Sequence, residues 1–235
     1  MKRSDSRWTE GRSVQLQLDT FGNIGDQLRA EMDTHAEVVR FSKKDVLFDA
    51  DDAMMYFYIF LGGKVKISQI NLTNGKEQTI YLMRRGDMYD TVTLLDGKVH
   101  EVLVEILEEG SAMKIPIGKA REWMYDYPIF GEIVLKYVAT QLRKVEELAT
   151  DLTLFDTQER LIKLILQSME TKDHEGKNIL DGLSHTEIAN LIGTVRHVVD
   201  RHIKKLKEEG VLEDERRKVS LKSREKLLDR VKSLF

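Results

Sequence analysis

Apolar positions change their spacing twice along the chain. Between Val38 and Ile117 the apolar runs are short and strand-like. Val38-Val39-Arg40-Phe41 and Val46-Leu47-Phe48 flank the polar Lys43-Lys44-Asp45. Met55-Tyr56-Phe57-Tyr58-Ile59-Phe60-Leu61 is aromatic and β-rich, and Gly62-Gly63 is expected to end it. Val65, Ile67 and Gln69-Ile70 then read as alternating outward and inward positions. Asn74-Gly75 predicts a hairpin, because both residues tolerate positive φ. Thr79-Ile80-Tyr81-Leu82 resumes the strand, Gly86-Asp87 marks a turn, and Val102-Leu103-Val104-Glu105-Ile106 is the next strand. Strands this short and closely spaced predict a sandwich or jelly roll.

After Pro116 the period becomes helical. One long helix is predicted from Gly131 to Phe155. Val134, Val138, Gln141, Val145, Leu148, Leu152 and Phe155 alternate steps of four and three, the spacing of a coiled-coil seam. Two readings of that stripe stay open: a helix packed on its own sheet, or a dimer helix whose polar Gln141 fixes register. Asp156 to Glu159 has the form of a capping box, opening a further helix from Thr157 to about Thr171. Thr171 to Asp181 is polar and loop-like.

The next stretch is the most informative. Ser184-His185-Thr186-Glu187 is a second capping box, with Ile188, Ala189, Leu191 and Ile192 as the apolar face behind it. Gly193 follows where a tight turn needs positive φ, and Thr194 stands where it can cap the next helix. Val195, Val198, Val199, Ile203 and Leu206 recur at helical spacing, and Gly210 ends the run. Helix, glycine turn and helix together have the form of a helix-turn-helix. The exposed face of its second helix is expected to carry Arg196, His197, Asp200, Arg201, Lys204 and Lys205. Residues at the start of such a helix reach base edges, and those further along meet phosphates. Val211-Leu212 and Val219-Ser220-Leu221, separated by Glu213–Lys218, read as a hairpin wing. Its Arg216, Arg217 and Lys218 are placed to touch the backbone of DNA.

Composition narrows the chemistry. The 235 residues carry a formal net charge of -3, so any DNA binding must come from a local concentration of Lys and Arg. From Asp156 to Phe235 there are 17 Lys and Arg against 15 Asp and Glu, which predicts modest non-specific affinity. The absence of cysteine excludes disulfides, thiolate nucleophiles, Cys-type zinc sites and cysteine-held iron–sulfur clusters, and fits a reducing cytoplasm. Met1 to Asp19 has no signal-peptide pattern, and no run of about 18 apolar residues suggests a membrane span.

The chain resembles the cyclic-AMP receptor / fumarate-nitrate regulator (CRP/FNR) family of bacterial transcription factors. The resemblance runs from about Phe41 to Leu221. Tyr58–Ile67 with its Gly62-Gly63, Asn74-Gly75-Lys76-Glu77 and Gly86-Asp87-Met88 look like the family's effector-binding β-roll. Leu183–Ala189 and Gly193–Arg201 look like its DNA-reading motif. It implies an α+β fold: an N-terminal extension (1–22), a β-roll or jelly roll (23–128), a dimerisation helix (129–155) and a winged helix-turn-helix (156–235). It further implies a cytoplasmic homodimer on a two-fold symmetric DNA site, with RNA polymerase as a partner if the regulator activates. By position, Arg196 and Arg201 resemble the family's base-reading arginines, and His185 and Thr186 fall where the first helix meets phosphate. His197 departs from the glutamate of many members, and Asp200 is also unusual, so the operator is expected to differ from the family's commonest half-sites.

The family's cyclic-nucleotide members have a phosphate cassette of a Gly-Glu pair, then an arginine followed by Ser or Thr. Asp90-Thr91 and His100-Glu101 stand at the matching places here. Two carboxylates would repel a cyclic phosphate, so cyclic AMP in the usual mode is not expected. A regulator that senses carbon monoxide or nitric oxide through heme, as some relatives do, stays open, with His35 and His100 the only histidines before the long helix. Tyr56, Tyr58, Tyr81, Met83, Met88 and Tyr89 read either as β-core or as a pocket lining, and His100 beside Glu101 reads as a surface pair. The effector residues proposed from sequence are therefore Tyr81, Met88, Tyr89, Asp90, Thr91, His100 and Glu101. A third option is no small effector at all. Two other classes compete: a jelly-roll enzyme with a helical accessory domain, and a ligand-binding module acting through protein partners. No clustered metal ligands, phosphate loop or nucleophile–base pair supports the enzyme. Asp49-Ala50-Asp51-Asp52 lacks the glycine and terminal glutamate of a calcium loop and reads as a solvated turn.

Overall fold

The computed structural model describes residues 24–43, 45, 54–170, 178–215, 218–223 and 226–227. The expected strand at Val46-Leu47-Phe48, the acidic Asp49–Asp52 turn and the N-terminal extension lie outside the described residues. The chain divides into two units, one of residues up to Ile67 with Tyr81–Arg143, the other of Ser68–Ile80 with residues from Lys144 onward.

A helix absent from the sequence expectations opens the first unit. α1 (Asp26–His35) places Asp26 in its first turn and His35 in its last, as the helix dipole favours. Leu28 and Met32, four residues apart, make its buried stripe. Strands β1 (Glu37–Phe41), β2 (Tyr56–Ile70), β3 (Glu77–Met83), β4 (Met88–Tyr89) and β5 (Leu103–Pro116) follow, with the short α2 (Thr91–Asp96) before β5. The sheet runs β1-β5-β2-β3, with β4 paired to β2. β1 and β5 are antiparallel, with Val39 opposite Ala112, and Tyr58 lies opposite Tyr89.

β2 corrects two expectations. It does not stop at Gly62-Gly63 but runs through them to Ile70. Gly63 sits at φ 86°, and a Cβ there would lie 2.9 Å from the backbone of Gly110 on β5. A Cβ on Gly110 would lie 2.2 Å from the Gly62 carbonyl oxygen. The three glycines permit a close backbone approach rather than ending a strand. Nor does β2 have one wet face. Phe57 and Ile59 join a core with Leu28, Met32, Trp123 and Phe130, whereas Tyr58 and Phe60 join a second with Phe41, Met83 and Ile106. Each large side chain so buried contributes about 1.5–3 kcal/mol of transfer free energy. Lys64 and Lys66, which alternate with Val65 and Ile67, are buried too, each held by a β5 carboxylate, Glu108 (2.8 Å) and Glu105. Gln69 and Ile70 are both exposed. The hairpin loop also exceeds the two residues expected, since Asn71 N–H donates to the Lys76 carbonyl and Gly75 N–H to the Asn71 carbonyl.

α3 (Ile117–Asp126) and α4 (Pro128–Leu154) follow. α4 starts three residues before the expected point, and Phe130 and Val134 anchor its first turns in the first unit's core. In the second unit come α5 (Thr157–Glu170), α6 (His185–Leu191), α7 (Arg196–Glu208), and an antiparallel pair, β6 (Leu212–Glu215) and β7 (Lys218–Leu221). The box before α5 is present: Asp156 Oδ1 accepts from Glu159 N, and Asp156 N donates to Glu159 Oε2 at 2.7 Å. The buried apolar residues here include Leu161, Ile162, Ile165, Ile188, Ile192, Val199, Ile203, Leu206 and Val211. Among the described residues no helix is long and apolar enough to cross a membrane.

Candidate nucleic-acid interface

Both ends of α6 are fixed by identifiable bonds. At its start the Ser184 hydroxyl accepts from Glu187 N at 3.2 Å, and Ser184 N donates back to the Glu187 carboxylate. At its end Ile192 N–H donates to the Ile188 carbonyl and Thr194 N–H to the Ala189 carbonyl. Leu191 and Ile192 carbonyls, which a helix end leaves without partners, accept from Gln78 Nε2 at 3.2 Å and from Arg160 at 2.6 Å. Asn190 Nδ2 donates to Glu77 at 2.8 Å. Gly193 between the two helices has φ +67°, and a Cβ there would meet Leu152, Gln78 and Arg160 within 3.1 Å. The turn glycine therefore answers both to backbone sign and to space.

Thr194 is not the cap of α7. That place is held by Val195, at φ -118° and ψ 153°, with no side-chain bond. Thr194 is drawn into the turn because its N–H closes back on α6. Val195 is accordingly 47 % exposed and leaves the apolar stripe to which its spacing assigned it. The stripe is Val199, His202, Ile203 and Leu206. His202 was missed in the sequence as a polar residue, although its step of three from Val199 and four to Leu206 places it there. Its Nε2 lies 2.9 Å from the Thr157 hydroxyl at the start of α5, and burial pushes its pKa down.

Opposite this stripe Arg196, His197, Arg201, Lys204 and Lys205 are exposed. Asp200 is half-buried, with Oδ1 2.5 Å from His185 Nδ1 and Oδ2 3.5 Å from Arg196 Nε. Lys204 lies 3.8 Å from Glu208. His185 is the first residue of α6, and Thr186 beside it is exposed. Arg216 and Arg217 lie outside the described residues, but the strands of the expected wing reach further than predicted, pairing Glu215 with Lys218.

The residues proposed for an effector site lie in the first unit and are mostly core. Met88 and Tyr89 point into the two separate cores. Asp90, 2 % exposed, caps α2: its carboxylate accepts from Thr93 N at 3.4 Å and lies 2.6 Å from the Thr93 hydroxyl. His100 pairs with Asp90 at 3.2 Å and not with Glu101, which is exposed. The Asp90 hydrogen bond raises the His100 pKa against the opposing effect of burial. Thr91 is buried, and Tyr81 is half-buried with its phenol pKa raised by desolvation. Arg121 Nε and a terminal nitrogen donate to the Leu94 and Thr93 carbonyls, closing the other end of α2. His35 pairs with Glu31 at 3.6 Å. Among the described residues no three His, Asp or Glu side chains gather as metal ligands.

The dimer stripe expected from sequence divides. Val134 and Gln141 are buried within the chain, and Val138 and Leu148 are partly buried. Val145 and Leu152 are exposed, as are Leu135 and Leu142 at 57 % and 58 %.

Residues 38–127 match the cyclic nucleotide-binding domain model and residues 159–230 the Crp-like helix-turn-helix domain model. A CRP-like cAMP-activated global transcriptional regulator of Mycobacterium tuberculosis is 24% identical over 215 residues, covering 90% of this chain and 96% of the relative. The global nitrogen regulator of a Nostoc species is 25% identical over 192 residues, covering 78% and 84%. Among solved structures, FixK2 from Bradyrhizobium japonicum superposes with a TM-score of 0.71 at 19% identity, covering 83% of this chain and 96% of that one. With a sensory-type domain and a DNA-reading domain matched in the family's order, this chain belongs to the CRP/FNR family of transcription regulators, which are not enzymes.

Proposed function

We propose that the chain is a homodimeric, sequence-specific DNA-binding regulator that reads a two-fold symmetric site with α7. One observation carries this reading: Arg196, His197, Arg201, Lys204 and Lys205 are solvent-facing on a helix whose other side is sealed by Val199, His202, Ile203 and Leu206. Arg196 and Arg201 are the base readers, since a guanidinium forks onto guanine O6 and N7. Lys204, Lys205, His185 and Thr186, with Arg216 and Arg217 of the wing, contact phosphates. Thr194 and His197 flank the base-reading residues. The second copy packs along α4 through Leu135, Val138, Leu142, Val145, Ala149 and Leu152, which alternate steps of three and four on its outward side. RNA polymerase is a further partner if the regulator activates.

The first unit, with its sheet closing into a β-roll, senses a small effector that is not a cyclic nucleotide bound in the usual mode. Support comes from Asp90, whose carboxylate occupies the cassette with its own donors, Thr93 and His100. Selection of duplexes from a random pool by the full chain tests the DNA reading. Enrichment of a two-fold symmetric sequence is expected, and a pool that stays random overturns it.

A further inference from the structure

Asp200 is an awkward residue for a helix that approaches DNA, because a carboxylate there repels phosphates. Its surroundings explain its presence. Oδ1 faces His185 Nδ1 in the first turn of α6, at 2.5 Å, and Oδ2 faces Arg196 Nε, one turn back on α7, at 3.5 Å. One carboxylate is thus shared between the two helices of the motif. The Arg196 contact is long for a hydrogen bond and is an ion pair at the i,i+4 spacing. It engages Nε, the inner guanidinium nitrogen. The two terminal amino groups are left to fork end-on onto guanine, so the pair does not compete with base reading in that mode.

We propose that Asp200 is a positioning residue that sets base specificity through Arg196 and does not touch a base itself. Arg196 is 70 % exposed, and its long side chain loses rotamer freedom when it docks on a base. A carboxylate holding Nε removes part of that freedom beforehand and fixes the plane of the guanidinium. His185 holds the carboxylate in turn, so the angle of the reading arginine is tied to α6, whose start is clamped by the Ser184–Glu187 box. Sharing the negative charge with Arg196 also offsets its repulsion of phosphate.

This inference rests on the DNA reading proposed above, and its test keeps the two apart. Sequences selected by the wild-type chain are compared with those bound by Asp200→Asn, Asp200→Ser, His185→Gln, Arg196→Ala and Arg196→Ala/Asp200→Asn, against every single-base-pair variant of the site. Arg196→Ala erases preference at one position of each half-site. The two Asp200 variants are expected to cut discrimination at that same position about tenfold, within the range of one bidentate contact. The double variant should be no worse there than Arg196→Ala. His185→Gln leaves α7 untouched and should blunt the same position, which keeps the test valid if an Asp200 variant folds poorly. Loss at a different position, additive with Arg196→Ala, would mean that Asp200 reads a base directly. Uniform tightening on all sequences would make it a plain repulsive charge. Either result, or unchanged discrimination, overturns the proposal while the DNA reading stands. A wild-type chain that selects nothing removes both.

Discussion

His100 and His202 are drawn off histidine's ordinary pKa of 6.5 in opposite senses. His100 is raised by its bond to Asp90, so the stabilisation it brings is complete below pH 6.5 and is lost as pH climbs through the raised value. His202 is lowered by burial against α5, so its neutral form stabilises the fold above pH 6.5, and stability falls as pH drops toward the depressed value. Denaturant unfolding of the full chain between pH 5 and 8 should resolve both. His100→Gln is expected to cost about 1 kcal/mol at pH 5, the worth of one hydrogen bond, and less at pH 8. His202→Gln should remove the acid-side decline. Equal losses at both pH values for His100→Gln would mean that its charge is not what holds Asp90. Gly193 is the other residue with a sharp consequence. Gly193→Ala adds a Cβ at φ +67° and within 2.4 Å of Leu152 Cδ2. The backbone sign alone costs about 1–2 kcal/mol. Lowered thermal stability with weakened DNA binding is expected, and a wild-type melting profile would show that the turn relaxes freely. Gly193 was legible in sequence because turn chemistry is local. The His185–Asp200 contact was not, since it depends on how α6 and α7 cross, whereas the Arg196–Asp200 pair follows from helical spacing alone.

At the level of elements, pattern succeeded where burial is one-sided. α5 and α6 were readable from caps and apolar spacing, with the boxes at Asp156 and Ser184 both formed, and α7 from spacing alone, its expected cap Thr194 lying in the turn. α1, α2 and α3 escaped. α2 has only six residues and owes its start to the Asp90 cap, a signal buried among strand residues. β2 was cut short because its glycines look like a terminus, although they serve a close approach to β5. The apolar period on α4 was legible, and its outward face is shifted from the expected stripe. Val134 and Gln141 turn into the chain, and the outward series passes through Leu135 and Leu142 instead. This shift predicts which substitutions break a dimer. Leu142→Glu with Val145→Glu should yield monomers by sedimentation, because two unpaired charges per helix would be buried in the seam. Leu135 and Leu142 were outside the expected set, so a double variant that remains dimeric would place the interface elsewhere.

For the molecule as a whole, the proposed recognition rests on two kinds of charge, and neither is visible in the net figure of -3. On α7, positive side chains cluster against that balance, so duplex affinity should depend on salt through a small number of phosphate contacts. Lys204→Ala is expected to weaken binding on every sequence alike and to shallow the slope of log K against log salt by about one. Its 3.8 Å pair with Glu208 is exposed and should not blunt that change. In the first unit the decisive charge is negative and buried. A ligand that binds only the folded chain raises its stability by about 2.7 kcal/mol at a hundred times its Kd. Cyclic AMP must either meet the Asp90 carboxylate or displace it from Thr93 and His100, and each route costs the folded state a buried hydrogen-bonded ion. Millimolar cyclic AMP should therefore leave both the melting temperature and the operator affinity of the full chain unchanged. Asp90→Ala should lower stability without creating cyclic AMP binding, because no arginine replaces His100 at the cassette. A saturable rise in melting temperature with wild-type chain would show that the carboxylate moves aside, and the effector would then be a cyclic nucleotide after all.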